Sequence, residues 1–282
     1  MLVCACCVPP VALGILFTAL AIVTGSRFVL GGDGRNGMAR LLVWTARVIG
    51  ALLLLVATFL LVLSNDDDLR AKAFSRLMAQ MAKASDMDAT RCDALGLSGI
   101  SGHVIELGPG PGSNFRCWGD VNGNPRISSW TGVEPNQYFS QAQKEEADAR
   151  NATFERTSIW IKGERAQDVP ESRYDVAVMT HVLCSVDSPN AVLETAWRAL
   201  KPGGRIYLLE HVVAPPERWV LRCVQKVVEP ILTILADGCH FRDTKTALGL
   251  SRFDWESVVP MDAPMPLPLR PHILAKGRKG KR

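Results

Sequence analysis

The chain has 282 residues, enough for one sizeable domain with extensions, and a formal net charge of +4, too mild to argue for nucleic acid. No long basic stripe interleaved with aromatics is present, so no nucleic-acid partner is expected. The eight cysteines (Cys4, Cys6, Cys7, Cys92, Cys117, Cys184, Cys223 and Cys239) make no paired C-x-x-C set and no disulfide framework. They read as mostly reduced thiols, and no metal site is expected.

Residues 1–65 differ from the rest. Leu2 to Ser26 carries no charge, and neither does Val48 to Asn65. A membrane-spanning helix needs about 20 largely apolar residues. The first run has that length. The second reaches it if Leu41 to Trp44 are included and Arg47 snorkels. Gly31 to Gly37 between them reads as a turn. The region is expected to be a membrane-anchoring apolar hairpin. A signal peptide is the weaker reading, because no positive residue precedes the first run. Arg27, Arg35, Arg40 and Arg47 lie around the turn, and Arg70, Lys72, Arg76 and Lys83 follow the second run. Two crossings would put these groups on opposite sides; a hairpin dipping into one leaflet would keep both cytoplasmic.

Residues 66–87 read as a helical linker, with Leu69, Ala73, Leu77 and Met81 at helical spacing. From residue 88 to 276 strand and helix patterns alternate. The strands are Val104 to Leu107, Ile127 to Val133, Thr153 to Ile161, Tyr174 to Thr180 and Arg205 to Glu210, with closing strands at Phe253 to Val259 and His272 to Lys276. The helices are Tyr138 to Arg150, Ala191 to Leu200 and Trp219 to Ala236, the last with Pro230 as a kink or break. The alternation predicts an α/β fold with a doubly wound, Rossmann-like sheet. Residues 277–282 form a basic tail that suits anionic lipid.

The motif with most chemical content follows the first strand: Glu106-Leu107-Gly108-Pro109-Gly110-Pro111-Gly112. Its order, E-x-G-x-G-x-G, lacks the lysine of a P-loop and the G-x-G-x-x-G spacing of a dinucleotide fingerprint. It suits S-adenosylmethionine (SAM), a cationic cofactor without phosphates, better than a pyrophosphate. Glu134 ends the second strand, where a carboxylate accepts ribose hydroxyls. Asn136 follows it. Glu164, with Asp168 as runner-up, is the candidate for an adenine amino group. Thr180 and His181 end the fourth strand, where cofactor and substrate meet.

Glu106 to Gly112, Val133-Glu134-Pro135-Asn136 and the turn Leu200-Lys201-Pro202-Gly203-Gly204 resemble a class I SAM-dependent methyltransferase. Val182 to Val186, Glu210-His211-Val212, Asp237-Gly238-Cys239 and Arg270-Pro271-His272-Ile273 narrow the resemblance to the methyltransferase-like 7 family. These are membrane-anchored thiol S-methyltransferases of the endoplasmic reticulum and lipid droplets. The chain departs from the family at Pro109, Pro111, Glu134 and His181, in its second apolar run and in an apparent insertion from Gly119 to Pro125.

The resemblance implies transfer of a methyl group from SAM to a small apolar thiol, with membrane lipid met through the amino-terminal segment and the domain in the cytosol. His211 is the first candidate for a base and His181 the second, because a free aliphatic thiol is mostly protonated near neutral pH. Asp237 and His240 are expected to line the acceptor pocket, and Cys184 and Cys239 to be small buried fillers. The alternatives are an O- or N-methyltransferase acting on a lipid, phenol or quinone, and a non-catalytic membrane or lipid-droplet protein. Asn151-Ala152-Thr153 is a glycosylation sequon, expected to stay unmodified.

Overall fold

The computed structural model describes residues 37–84, 87–118, 126–160 and 168–280, with Gly14, Thr18 and Ile22 besides. Apart from those three positions the first apolar run lies outside the described residues, as do Glu164 and the Gly119 to Pro125 segment. The chain divides into two compact units, Met1–Arg70 and Ala71–Arg282.

In the first unit, helix α1 spans Gly37–Asn65. Its segment Leu41–Asn65 is 25 residues long with a mean hydropathy of 2.6, long and apolar enough to cross a membrane by length and composition. It is uncharged apart from Arg47, and Thr45, Thr58 and Ser64 return their hydroxyls to carbonyls of the preceding turn. Such bonds hide polar groups that a lipid would leave unpaired.

A second helix, α2 (Asp67–Ala84), begins on Asp67 and Asp68, acids that favour a helix amino terminus. In the larger unit its Phe74 ring meets Phe139 edge-on at 5.8 Å, and the Ala71 carbonyl accepts from the Asn136 amide at 2.9 Å.

The larger unit holds a seven-stranded sheet: β1 Gly102–Leu107, β2 Ile127–Glu134, β3 Glu155–Trp160, β4 Tyr174–Thr180, β5 Leu200–His211, β6 Asp254–Asp262 and β7 Pro271–Arg278. The strand order is β3-β2-β1-β4-β5-β7-β6, with β7 antiparallel to both neighbours and the other pairs parallel. The helices are α3 Phe115–Trp118, α4 Ser140–Ala149, α5 Pro189–Ala199, α6 Trp219–Leu235 and α7 Thr244–Leu250.

Side chains alternate across each strand. Ile105, Leu107, Ala177, Met179, Ile206, Leu208, Ile273 and Ala275 join one core, completed by Leu193, Ala196 and Ala199 of α5. Val104, Val176, Val178, Leu209 and Leu274 join the other, with Phe115, Trp130 and Phe154. Burial on both faces explains the near-continuous apolar runs of β1 and β4. Helix α5 starts where Ser188 Oγ accepts the Ala191 amide and Pro189 takes the first helical turn. Helix α6 runs through Pro230 without a break. Helix α7, capped by Asp243, is not among the helices expected from sequence pattern.

The cysteine expectation is corrected. Cys92 and Cys117 are joined in a disulfide, so they are not reduced thiols. The bond closes a 25-residue separation and fastens the turn before β1 to α3, the helix that follows the glycine loop. Spacing alone gave no sign of it. Cys184, Cys223 and Cys239 are free thiols.

Candidate active site

In an open α/β sheet, ligands bind beyond the carboxyl ends of the strands, where the chain order reverses. Here that point lies between β1 and β4, because β2 and β3 continue on one side and β5 on the other. The expected site residues Glu106, Glu134, Thr180, His181 and His211 all stand at or beside these ends.

The loop Gly108 to Gly112 is held in an unusual backbone shape. Gly108, Gly110 and Gly112 have φ of 65°, 55° and 83°, the left-handed region that glycine enters without penalty. Their roles differ. A Cβ on Gly108 would lie 2.7 Å from Val182 Cγ2, and one on Gly112 would lie 2.8 Å from the Phe115 ring, so both are packing glycines. A Cβ on Gly110 would meet nothing within 4 Å. Gly110 is thus the point where the backbone lies open to a ligand. Pro109 and Pro111 do not disturb the loop, whose amides of Gly108 and Gly112 bond the carbonyls of Val133 and Pro109.

Glu134 ties the loop to β2. Its Oε2 accepts the Gly110 amide at 2.9 Å and its Oε1 the Asn136 amide at 3.0 Å. Each oxygen keeps a lone pair for a further donor. Burial raises its pKa to about 7, against the pull of those two amides, and the charges of Glu106 and Asp237 push the same way. The Asn136 side chain braces the framework: its Oδ1 accepts the Tyr138 amide and its Nδ2 donates to the Ala71 carbonyl. The Gly110 carbonyl accepts from Gln143 at 2.8 Å.

Glu106 is buried, its Oε1 accepting from Asn114 at 2.7 Å and its Oε2 from the Trp130 indole at 2.8 Å. Burial raises its pKa to about 7 too. Asn114 also donates to Thr180 Oγ1 at 3.1 Å, so one amide fixes the glycine loop and the end of β4 in a common frame. Its Oδ1 is buried without a partner. The site therefore offers a cradle with open space at Gly110, an acidic pair and an orphaned acceptor. These suit a donor that carries a ribose and a cationic amino-acid end.

Three histidines gather at the ends of β4, β5 and β7. The ring centres of His181 and His272 lie 5.1 Å apart, and those of His181 and His211 lie 6.1 Å apart. His272 Nδ1 donates to the Arg270 carbonyl at 2.9 Å, which leaves its Nε2 as a lone pair. That lone pair lies 2.9 Å from His181 Nε2, so His181 carries its proton on Nε2 and keeps Nδ1 as its lone pair. Burial, then the His272 ring, pushes the His181 pKa well down, so the ring is neutral. His181 has φ of 59°, a strained backbone for a non-glycine residue at a strand end.

His211 is placed differently. Its Nε2 lies 3.0 Å from Cys239 Sγ, and its Nδ1 is buried without a partner. Cys184 is buried beside them, its thiol pKa raised well up by Cys239 and by burial. Glu210 accepts the amides of Val182 and Leu183 on one oxygen, at 2.7 and 2.9 Å. His240 bonds Glu229 at 3.2 Å and is partly exposed. Asp237 sits in left-handed backbone with φ of 46° before Gly238. Thus the structure brings together Glu106, the loop, Glu134, Thr180 and His181. Asn114, Trp130 and His272 were missed as site residues: Asn114 follows the glycine loop directly and His272 lies in the resembling stretch Arg270 to Ile273, but their partners Thr180 and His181, like the Trp130 contact to Glu106, come together only in the fold.

A methyltransferase-domain family model matches residues 69–230. Human thiol S-methyltransferase TMT1B is 35% identical over 189 residues, covering 65% of this chain and 74% of the relative. Human thiol S-methyltransferase TMT1A is 34% identical over 173 residues, with coverages of 60% and 68%. An O-methyltransferase family protein from Burkholderia thailandensis shares the fold, with a TM-score of 0.56 at 14% identity over 95% of this chain and 72% of that one. The methyltransferase domain and the fold it shares with solved methyltransferases imply a methyl donor of the SAM type. The chain belongs to the methyltransferase-domain family and is a class I methyltransferase akin to these two human enzymes.

Proposed function

We propose that this chain is a membrane-associated enzyme that transfers the methyl group of SAM to the sulfur of small, apolar thiols. The observation that carries the reading is the Asn114 bridge between Glu106 and Thr180, which sets the glycine cradle in register with the His181 end of β4. The name of the human relatives supplies the acceptor class.

Glu134 would hold the ribose hydroxyls with its remaining lone pairs, and Asn114 Oδ1 would accept from the ammonium of the donor's amino-acid end. Gly110 lets the donor approach the backbone. When bound, SAM supplies an electrophilic methyl on a sulfonium. His181 accepts the acceptor's proton at Nδ1, oriented for this by His272. The tightly packed strand ends strip water from the thiolate and orient it, which supplies most of the rate, since a thiolate is already a strong nucleophile. His211 is engaged with the Cys239 sulfur at Nε2, so His181 replaces it here as the leading base.

The length and composition of α1 support anchoring through it, and Trp219, Val220 and Val227 of α6 add exposed apolar surface. An apolar acceptor partitions into the bilayer and is concentrated there. We place the protein on the endoplasmic reticulum or lipid droplets with the domain cytosolic. The Cys92–Cys117 bond weighs the other way, because disulfides persist in oxidising compartments. The Asn151 sequon tests the side in cells. A glycosidase-sensitive mobility shift would put the domain in the lumen. The test of function is methyl transfer from labelled SAM by detergent-solubilised protein, with an alkyl thiol as acceptor and His181→Ala as the comparison. A thiol product whose rate at neutral pH falls in the variant and recovers toward pH 9 supports the reading. No thiol product sinks it.

A further inference from the structure

Cys184 follows the turn after β4, His211 ends β5, and Cys239 lies in the loop after α6. The fold brings one donor atom from each to within 4.8 Å of the others. All are buried, at 3%, 4% and 6% exposure. The cluster is fastened from several sides. The Cys184 carbonyl accepts the His240 amide at 2.9 Å, which joins the two cysteine segments. The Cys239 carbonyl accepts from Thr233 Oγ1 at 3.2 Å. The Glu210 carboxylate, next to His211, holds the turn that leads into Cys184.

Within this frame the His211 ring meets sulfur at Nε2, and its Nδ1 has no hydrogen-bond partner among the described residues. Two thiols and an imidazole, all enclosed, are poor packing for an apolar core and a good donor set for a soft cation. We propose that Cys184, His211 and Cys239 form a three-ligand site for a thiophilic divalent cation, zinc first among them, whose remaining position takes the acceptor's thiolate.

The spacing suits this. A tetrahedral zinc with bonds of about 2.3 Å to sulfur and about 2.0 Å to nitrogen sets two sulfurs and a nitrogen roughly 3.5–3.8 Å apart, inside the 4.8 Å within which these atoms lie. The 3.0 Å between His211 Nε2 and Cys239 Sγ needs only a small opening to reach that separation. Two thiolates and a neutral imidazole around a divalent cation carry no net charge, which a buried site tolerates. Three protein ligands with a free fourth position is the arrangement of catalytic rather than structural zinc. The cluster stands at the ends of β4 and β5, where the acceptor must enter.

The acceptor role rests on the thiol-methyltransferase reading above. On coordination the acceptor's S–H proton leaves, taken by His181 Nδ1 and passed to solvent. The acceptor sulfur then supplies the electron pair of the new S–CH3 bond. The donor's sulfonium sulfur keeps the pair of the bond that breaks and becomes a neutral thioether.

The test uses the full chain in detergent, purified without chelator and assayed for metal by mass spectrometry before and after incubation with zinc. The expected result is about one equivalent per chain, unchanged in Cys223→Ser and reduced at least about tenfold in Cys239→Ser. Cobalt substitution is the second readout: the wild-type chain should show a thiolate-to-cobalt band, and an added alkyl thiol should shift the visible cobalt bands. Wild-type protein with under about a tenth of an equivalent after zinc incubation would overturn the site. So would equal metal in Cys239→Ser. Cobalt bands that ignore a thiol the enzyme methylates would overturn the acceptor role. Metal-loaded protein that methylates no thiol would refute the proposed activity and leave the cation site standing.

Discussion

Replacing Glu106 by glutamine should flatten the pH dependence of stability. In the unfolded chain this carboxyl ionises near 4.5, whereas burial holds its proton in the fold up to about 7. The stability that depends on the protonated form is fully present below 4.5 and is lost as pH rises through about 7. Between pH 5 and pH 8 the single group removes about 2–3 kcal/mol, since one pKa unit is worth about 1.4 kcal/mol. Glu134 and Glu210 also rise to about 7, so the wild type declines further than one group requires. Glu106→Gln keeps an acceptor for Trp130 and can turn its amide to the unpaired Asn114 Oδ1. The variant should therefore lie within about 1 kcal/mol of wild type at pH 5 and decline about 2–3 kcal/mol less by pH 8. Urea unfolding in detergent, followed by tryptophan fluorescence at four pH values, measures this, provided the slope with urea is unchanged. Curves that stay parallel from pH 5 to 8 would refute the assignment of a protonated Glu106.

Gly110→Ala should separate folding from binding. With φ of 55° and no atom within 4 Å of the new methyl, it costs about 1–2 kcal/mol in backbone strain, yet SAM binding by calorimetry should be abolished. Gly108→Ala, which drives its Cβ to 2.7 Å from Val182, should lower the melting temperature more than Gly110→Ala does. Replacing Cys92 and Cys117 together by serine should cost about 2–4 kcal/mol, read as a lower urea midpoint. An unchanged midpoint would mean the bond does not form in the protein tested. His272→Phe should move the pH profile of transfer while leaving the KM for SAM unaltered, because it acts by fixing the His181 tautomer.

The parts of the fold legible in the sequence are those encoded locally. Val104 to Leu107 followed by alternating glycines announces a strand and a tight loop. Lys201 to Gly204 read as a turn, but β5 begins at Leu200 and runs through it, with its register to β4 shifting between Tyr174 and Val176. The acid at position 134 could be placed at a strand end because it closes the β pattern that begins at Ile127, about 20 residues past the glycine loop. The rest depends on pairing between distant segments. Trp130 reads as an ordinary core residue until its indole is seen on Glu106. His272 lies 91 residues from His181, and only the antiparallel return of β7 beside β5 brings them together. The same holds for Cys184, His211 and Cys239, whose separations match no metal motif although the sheet gathers them. Pro230 read as a kink or break; α6 is one helix from Trp219 to Leu235 across it, so it is not a break.

The central claim is methyl transfer to sulfur at the Glu134 cradle. The most direct test gives detergent-solubilised protein labelled SAM and a panel of an alkyl thiol, a phenol, a quinol and an amine, with Glu134→Ala beside wild type. The predicted result is label on the thiol alone, and none in Glu134→Ala, where the Gly110 and Asn136 amides lose their shared acceptor. Label on the phenol, quinol or amine in place of the thiol would contradict the acceptor. No label on any of them, with no SAM bound in calorimetry, would contradict the enzyme.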